Sequence, residues 1–201
     1  AGGDVTSGPL NINVTVCGTV ARGRALTRSG ARAGDFIGLS GPTGLAGRAL
    51  AELKRNRIPA PACAAALRRP RPRLEFGASL AGLANACIDV SDGLLADLGH
   101  IAKASDAGAR IELERLPVPG ELADLADADR WDLQLAGGDD YELCFTAPPE
   151  QWGAIEESGR AAGLDVVRIG EIIEGQGCTC IDPEGKVYSP GSTGYVHGVS
   201  T

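Results

Sequence analysis

The chain has 201 residues, 43% hydrophobic and 22% charged, enough for one ample core and unlike a disordered polar chain. A formal net charge of −7 disfavours a partner held through nucleic-acid phosphates, so no nucleic acid is expected. No apolar run approaches the ~18 residues of a membrane-spanning helix, and no basic-then-apolar segment opens the chain, so no membrane and a cytoplasmic location are expected.

Residues 9–20 alternate, with Leu10, Ile12, Val14 and Val16 on one face and Asn11, Asn13 and Thr15 on the other, the period of a half-buried strand. A Gly/Arg-rich connector over 19–34 reads as an interdomain linker. Residues 35–40 predict a short strand ended by Gly41-Pro42, and 44–57 a helix rich in Ala, Leu, Lys and Arg. The Pro/Arg-rich stretch 59–73 reads as a solvated loop rather than an anion patch, with a helix after it over 74–84. A buried strand at 86–90 leads into a helix over 93–105, where Leu94, Leu98 and Ile101 form an apolar stripe. A strand at 109–113, helix and loop over 121–135, a strand at 141–146, an amphipathic helix at 150–162 and two or three strands within 165–188 complete the chain. Strands and helices mix without a strict βαβ rhythm, which predicts an α+β fold with a mixed sheet covered by helices.

Six cysteines without a C-x-x-C pair read as reduced structural thiols, and His100 and His197 are too few for a His-rich zinc site. The chain contains no methionine and opens on Ala1-Gly2-Gly3-Asp4. Removal of an initiator methionine and truncation of a longer protein explain this equally well.

Two acidic, glycine-hinged segments carry the chemistry: Ile88-Asp89-Val90-Ser91-Asp92-Gly93-Leu94 and Gly137-Gly138-Asp139-Asp140-Tyr141-Glu142-Leu143. Gly2-Gly3-Asp4 has the same character. Each is open to a plain reading as a turn or helix cap; together they favour a metal–phosphate site, with hard oxygen ligands for Mg²⁺ and small residues that let phosphate approach the backbone. Asp89 and Ser91 share a strand face, and Asp92 stands at a helix start, where Mg²⁺ between carboxylate and phosphate would relieve their repulsion. Asp97 reads as a helix-surface residue or as a partner of His100. Asp139 and Asp140 cannot both be buried unpaired, so a cation or cationic ligand is their natural companion. There is no G-x-x-x-x-G-K-[ST] loop, no protein-kinase signature, no G-x-S-x-G and no Cys–His pair in context.

At these segments, with Gly23 to Ala31 and Asp97-Leu98-Gly99-His100-Ile101, the chain resembles the bacterial thiamine-monophosphate kinase family of the aminoimidazole-ribonucleotide-synthetase-like superfamily. The resemblance implies ATP-dependent phosphorylation of thiamine monophosphate to thiamine diphosphate, with Mg²⁺, ATP as co-substrate and no covalent enzyme intermediate, hence no catalytic side chain. It implies that Gly3, Asp4, Arg28 and Ser91 meet the nucleotide, that Asp4, Asp89 and Asp92 bind metal, and that Asp139 and Tyr195 hold the thiamine moiety. It also implies that residues 1–22 are the last strand of a truncated N-terminal ATP-binding domain, that 23–201 form a C-terminal domain, and that the full-length protein is a homodimer. The isolated 201-residue chain is then expected to be inactive.

Four departures stand out. The family's N-terminal domain would lie before Ala1, and Val5-Thr6-Ser7-Gly8-Pro9 lacks the arginine of the usual Thr-Thr-Arg-Gly-Pro. The loop at 43–47 lacks an aspartate, and Gly194-Tyr195-Val196-His197-Gly198 replaces Gly-Tyr-Asp-His-Phe. Two rival readings remain: another ATP-using superfamily member, such as an aminoimidazole ribonucleotide synthetase or a selenophosphate-synthetase-like protein, and an inactive metal- or phosphate-binding fragment.

Overall fold

A computed structural model describes residues 12–192 and 194. Seven strands form one sheet in the order β2-β4-β1-β5-β3-β6-β7. In chain order they are β1 (Phe36–Leu39), β2 (Ala86–Asp89), β3 (Gly108–Glu112), β4 (Leu143–Ala147), β5 (Val167–Ile173), β6 (Gly177–Ile181) and β7 (Val187–Tyr188). All neighbours pair antiparallel except β3 with β6. Six helices accompany them: α1 (Leu45–Lys54), α2 (Pro61–Arg68), α3 (Leu74–Ser79), α4 (Leu94–Ala104), α5 (Asp127–Ala136) and α6 (Trp152–Ala161). This is the α+β arrangement, a mixed sheet with helices over it, that the element pattern predicts.

The period-two alternation of the strands divides the apolar side chains between two faces. On one face Ile88 of β2, Cys144 of β4 and Ile37 and Leu39 of β1 pack with Leu94, Leu98 and Ile101, the stripe of α4. On the other, Cys87 of β2 and Phe145 and Ala147 of β4 pack with Phe76 of α3 and Ile155 of α6. Each fully buried Leu, Ile or Phe contributes about 1.5–3 kcal/mol relative to exposure. Cys178 and Cys180, two residues apart, both join the α4 face, and all six cysteines are free thiols.

The structure corrects two expectations. Residues 12–20 form no strand, and Ile12, Val14 and Val16 are exposed, because no described strand lies beside them to complete a ladder or cover the apolar face. The 59–73 stretch is loop only in part: Pro61–Arg68 form α2, with Pro61 in its first turn, where its missing N–H costs nothing, and the Ala-rich run behind it is strongly helix-forming. From Arg24 onward the connector is bonded to the rest of the described chain. Arg24 donates to the Ala81 carbonyl at 3.0 Å, Cys87 N–H to Thr27 O at 2.9 Å, and Ala31 N–H to Ser105 Oγ at 3.1 Å. Among the described residues no helix is long and apolar enough to cross a membrane.

Candidate functional site

The two acidic segments are the junctions β2→α4 and α5→β4. Because β2 and β4 pair antiparallel, with Asp89 opposite Leu143, both junctions emerge at the same end of the sheet. The pairing continues past the strands: Val90 N–H donates to Glu142 O and Tyr141 N–H to Val90 O, both at 2.8 Å, and Asp139 N–H donates to Ser91 O at 2.9 Å. A Cβ on Gly138 would stand 2.6 Å from the Ser91 carbonyl, so only glycine allows this approach. Asp139 and Tyr141 adopt left-handed φ values of 66° and 54°. Such conformations cost about 1–3 kcal/mol each and persist where the surroundings impose them, often at functional sites.

The Tyr141 ring stands within reach of several of these carboxylates. Burial pushes the Tyr141 phenol above its ordinary pKa, and the charges of Asp139, Asp89 and Asp92 add to that rise. The Tyr141 hydroxyl lies 3.4 Å from Asp139 Oδ1. Behind the β2→α4 turn, Asp97 is 2% exposed and its Oδ2 accepts the amides of Ser91 at 2.9 Å and Asp92 at 3.0 Å. It is therefore neither a surface residue nor a partner of His100. The first turn of the helix folds it back under the loop, as a cap that holds the Ser91–Asp92 backbone. Burial raises its pKa, the two amide bonds oppose that rise, and the Asp92 and Asp89 charges reinforce it.

Asp140 points the other way. Its carboxylate accepts Gly44 N–H at 2.7 Å and, at a longer 3.5 Å, Ala46 N–H, so it supplies the anion that α1 lacks in its own first turn. Burial pushes it up to about 7 despite these two bonds, and the charges of Glu142 and Asp139 add to the rise.

Between α1, α5 and the two loops lies a cleft of about 970 Å³, lined in part by Ser91, Asp92, Asp139, Tyr141, Lys54 and Arg55. The C-terminal strap completes its wall. Tyr188 donates its hydroxyl to Asp132 Oδ1 at 2.7 Å, and beyond it Ser192 and Gly194 line the same cleft.

The structure thus brings Ser91, Asp92 and Asp139 to one cleft, whereas Asp89, the exposed last residue of β2, is not part of its wall. Arg28 is exposed, with its carbonyl 3.5 Å from Ser105 Oγ, at the opposite end of α4 from Asp92. Gly3, Asp4 and Tyr195 lie outside the described residues. Tyr141, Asp97 and Asp140 also stand at these two loops, and sequence reasoning assigned none of them to the site. Asp140 left a signal as one of two adjacent carboxylates that cannot both be buried unpaired, and Asp97 and Tyr141 lie within the segments that carry the family resemblance. Among the described residues no group of three or more His, Cys, Asp or Glu side chains is placed to hold a metal ion.

A family profile described as AIR synthase related protein, C-terminal domain, matches residues 32–182. The chain is 41% identical over 204 residues to the thiamine-monophosphate kinase of Escherichia coli K12, a match covering 98% of this chain and 62% of that protein. It is similar to the crystal structure of thiamine-monophosphate kinase from Stenotrophomonas maltophilia K279a, with TM-score 0.78 and 39% identity over 84% of this chain and 56% of that one. It is also similar to AaThiL complexed with AMPPCP and TMP, with TM-score 0.68 and 31% identity over 85% of this chain and 54% of that one. The chain thus spans under two thirds of the length of each of these proteins.

Proposed function

Because the chain belongs to the AIR synthase related protein, C-terminal domain family, we propose that it is the C-terminal part of an ATP-dependent kinase that phosphorylates thiamine monophosphate to thiamine diphosphate. The observation that carries this reading is the Asp139 N–H···O=C Ser91 bond at 2.9 Å, which sets the Ser91–Asp92 turn beside Asp139 in one cleft. The similarity to a thiamine-monophosphate kinase over 98% of this chain supports it, as does the similarity to AaThiL, whose structure contains AMPPCP and TMP.

In this reading Ser91, with Gly3, Asp4 and Arg28, meets the nucleotide, and Asp139, with Tyr195, meets the thiamine moiety, whose cationic thiazolium suits a carboxylate. Asp89 and Asp92, with Asp4, hold Mg²⁺. The donor set fits that ion: carboxylates are the hard oxygen ligands it prefers, and Mg²⁺ is usually held by one or two of them plus substrate phosphates rather than by an all-protein cage. When bound, Mg²⁺ supplies charge neutralisation at the phosphates. The chain's own contribution is positioning. Asp97 fixes the Ser91–Asp92 amides, the Tyr141–Val90 bond locks one loop to the other, and the cleft walls hold the acceptor near the nucleotide side. The full-length protein is proposed to be a cytoplasmic homodimer, with residues 1–22 contributing to an N-terminal ATP-binding domain.

A substrate panel tests this. The enzyme containing this chain, given ATP and Mg²⁺, should phosphorylate thiamine monophosphate. ATP use only with formylglycinamidine ribonucleotide or selenide as acceptor would assign it to another superfamily activity, and no ATP use with any acceptor would support the inactive-fragment reading.

A further inference from the structure

Glu142 sits beneath the two acidic loops. Its side chain is 7% exposed, and no other carboxylate in an ion pair among the described residues is so buried. Its Oε2 accepts the Ser40 hydroxyl at 2.6 Å and Arg73 Nε at 2.8 Å, and its Oε1 accepts Arg73 Nη2 at 2.5 Å. The guanidinium therefore grips the carboxylate with both prongs of its fork, a geometry lysine cannot reproduce. The surroundings are built around this contact. Ser40 also receives Leu143 N–H on its Oγ at 2.8 Å and gives its own N–H to Leu143 O at 3.0 Å. A Cβ on Gly41 would stand 2.9 Å from the Glu142 carboxylate, so glycine leaves the space the carboxylate fills. On the backbone side, Glu142 O accepts Val90 N–H, between Asp89 and Ser91, and Tyr141 N–H returns to Val90 O.

We propose that Arg73, in the stretch preceding α3, is a positioning residue for the phosphoryl-transfer site: by clamping Glu142 it sets the register between the Asp89–Asp92 turn and the Asp139–Tyr141 turn. This rests on the kinase reading above. A bond that fixes one loop against the other controls how metal-bearing and acceptor-bearing groups face each other, and an error of about 1 Å there costs about a hundredfold in rate. The guanidinium's pKa is raised first by its hydrogen bond to Glu142 and is opposed by burial, in keeping with a tight ion pair.

The test uses the enzyme containing this chain, with Arg73→Lys and with the charge-balanced pair Arg73→Met/Glu142→Gln, which avoids stranding a buried carboxylate. Amide exchange over residues 88–94 and 137–143 is measured beside steady-state kinetics. In both variants we expect exchange in these two segments to quicken at least about tenfold, with exchange in α6 unchanged. We also expect kcat to fall and KM for thiamine monophosphate to rise, lowering kcat/KM at least about tenfold. Folded variants whose two segments exchange at wild-type rates, or whose kcat/KM is unchanged, would overturn the proposal and leave Arg73 a stability residue only. Absence of turnover in the wild-type enzyme would instead remove the kinase reading, and the exchange result alone would then decide whether Arg73 sets the loop register.

Discussion

Asp140 and Gly44 lie 96 residues apart in the chain, yet the Asp140 carboxylate accepts the Gly44 amide at 2.7 Å and so ties the α5→β4 loop to the N-terminus of α1. Burial sets itself against the charge of this carboxylate, while the amide bonds favour it. Burial lifts Asp140 to about 7, above the ordinary aspartate value of about 3.9. An acid with a raised folded pKa binds its proton more tightly when folded, so its contribution to stability is greatest below about pH 4 and is lost as pH rises to about 7. The Asp140→Asn variant should therefore lose this component. Melting temperatures from pH 4 to 8 should show wild type falling relative to the variant across that window. Parallel curves would contradict the assignment.

Asp97 holds two amides at once. Asp97→Ala leaves both the Ser91 and Asp92 N–H groups without their partner and should cost about 2–4 kcal/mol in denaturant unfolding. Asp97→Asn keeps one acceptor oxygen and should lose clearly less. A surface residue would show neither loss.

For the metal, Asp89→Asn combined with Asp92→Asn should weaken Mg²⁺-dependent nucleotide binding in the enzyme containing this chain. The fold should survive, since Asp89 is exposed and Asp92 half-buried. Nucleotide titrations with and without Mg²⁺ read this directly, and an unchanged Mg²⁺ dependence would remove both residues from the metal site.

On the proposed function, Asp139 distinguishes the substrate side from the nucleotide side. Its replacement by alanine should reduce affinity for thiamine monophosphate at least about tenfold, the loss of one charge-assisted contact, while ATP affinity changes little. Calorimetric titration with each ligand distinguishes the two. Equal losses would place Asp139 among the metal-binding residues.

Much of the fold is legible because the local pattern and the tertiary environment agree. The apolar stripe Leu94, Leu98, Ile101 becomes the buried face of α4, and short apolar runs bounded by Gly and Pro become β1, β2 and β4. The alternation in residues 12–16 is equally clear, but alternation encodes a face and not the partner that covers it. α2 is hidden because its prolines and arginines dominate the local composition, although Pro61 is well placed to start a helix. The acidic segments announce a site, whereas the roles of their neighbours depend on distant partners. Arg73 finds Glu142 across 69 residues and Asp140 finds Gly44 across 96, distances that no local pattern records. Asp97 lies close in sequence to the amides it holds, but only the sharp β2→α4 turn folds it back onto them.

Two hydrogen-bonded acidic loops forming one site for phosphoryl transfer to thiamine monophosphate is the proposal with most at stake. The most direct measurement is the formation of thiamine diphosphate from ATP and thiamine monophosphate by the enzyme containing this chain, followed against Mg²⁺ concentration in wild type and in Asp89→Asn. Wild type should form thiamine diphosphate in a Mg²⁺-dependent way, and the variant should lose at least about a hundredfold, as expected when a charged group in the transfer site is removed. Absence of thiamine diphosphate from the wild-type reaction, or full activity in the variant, would contradict it.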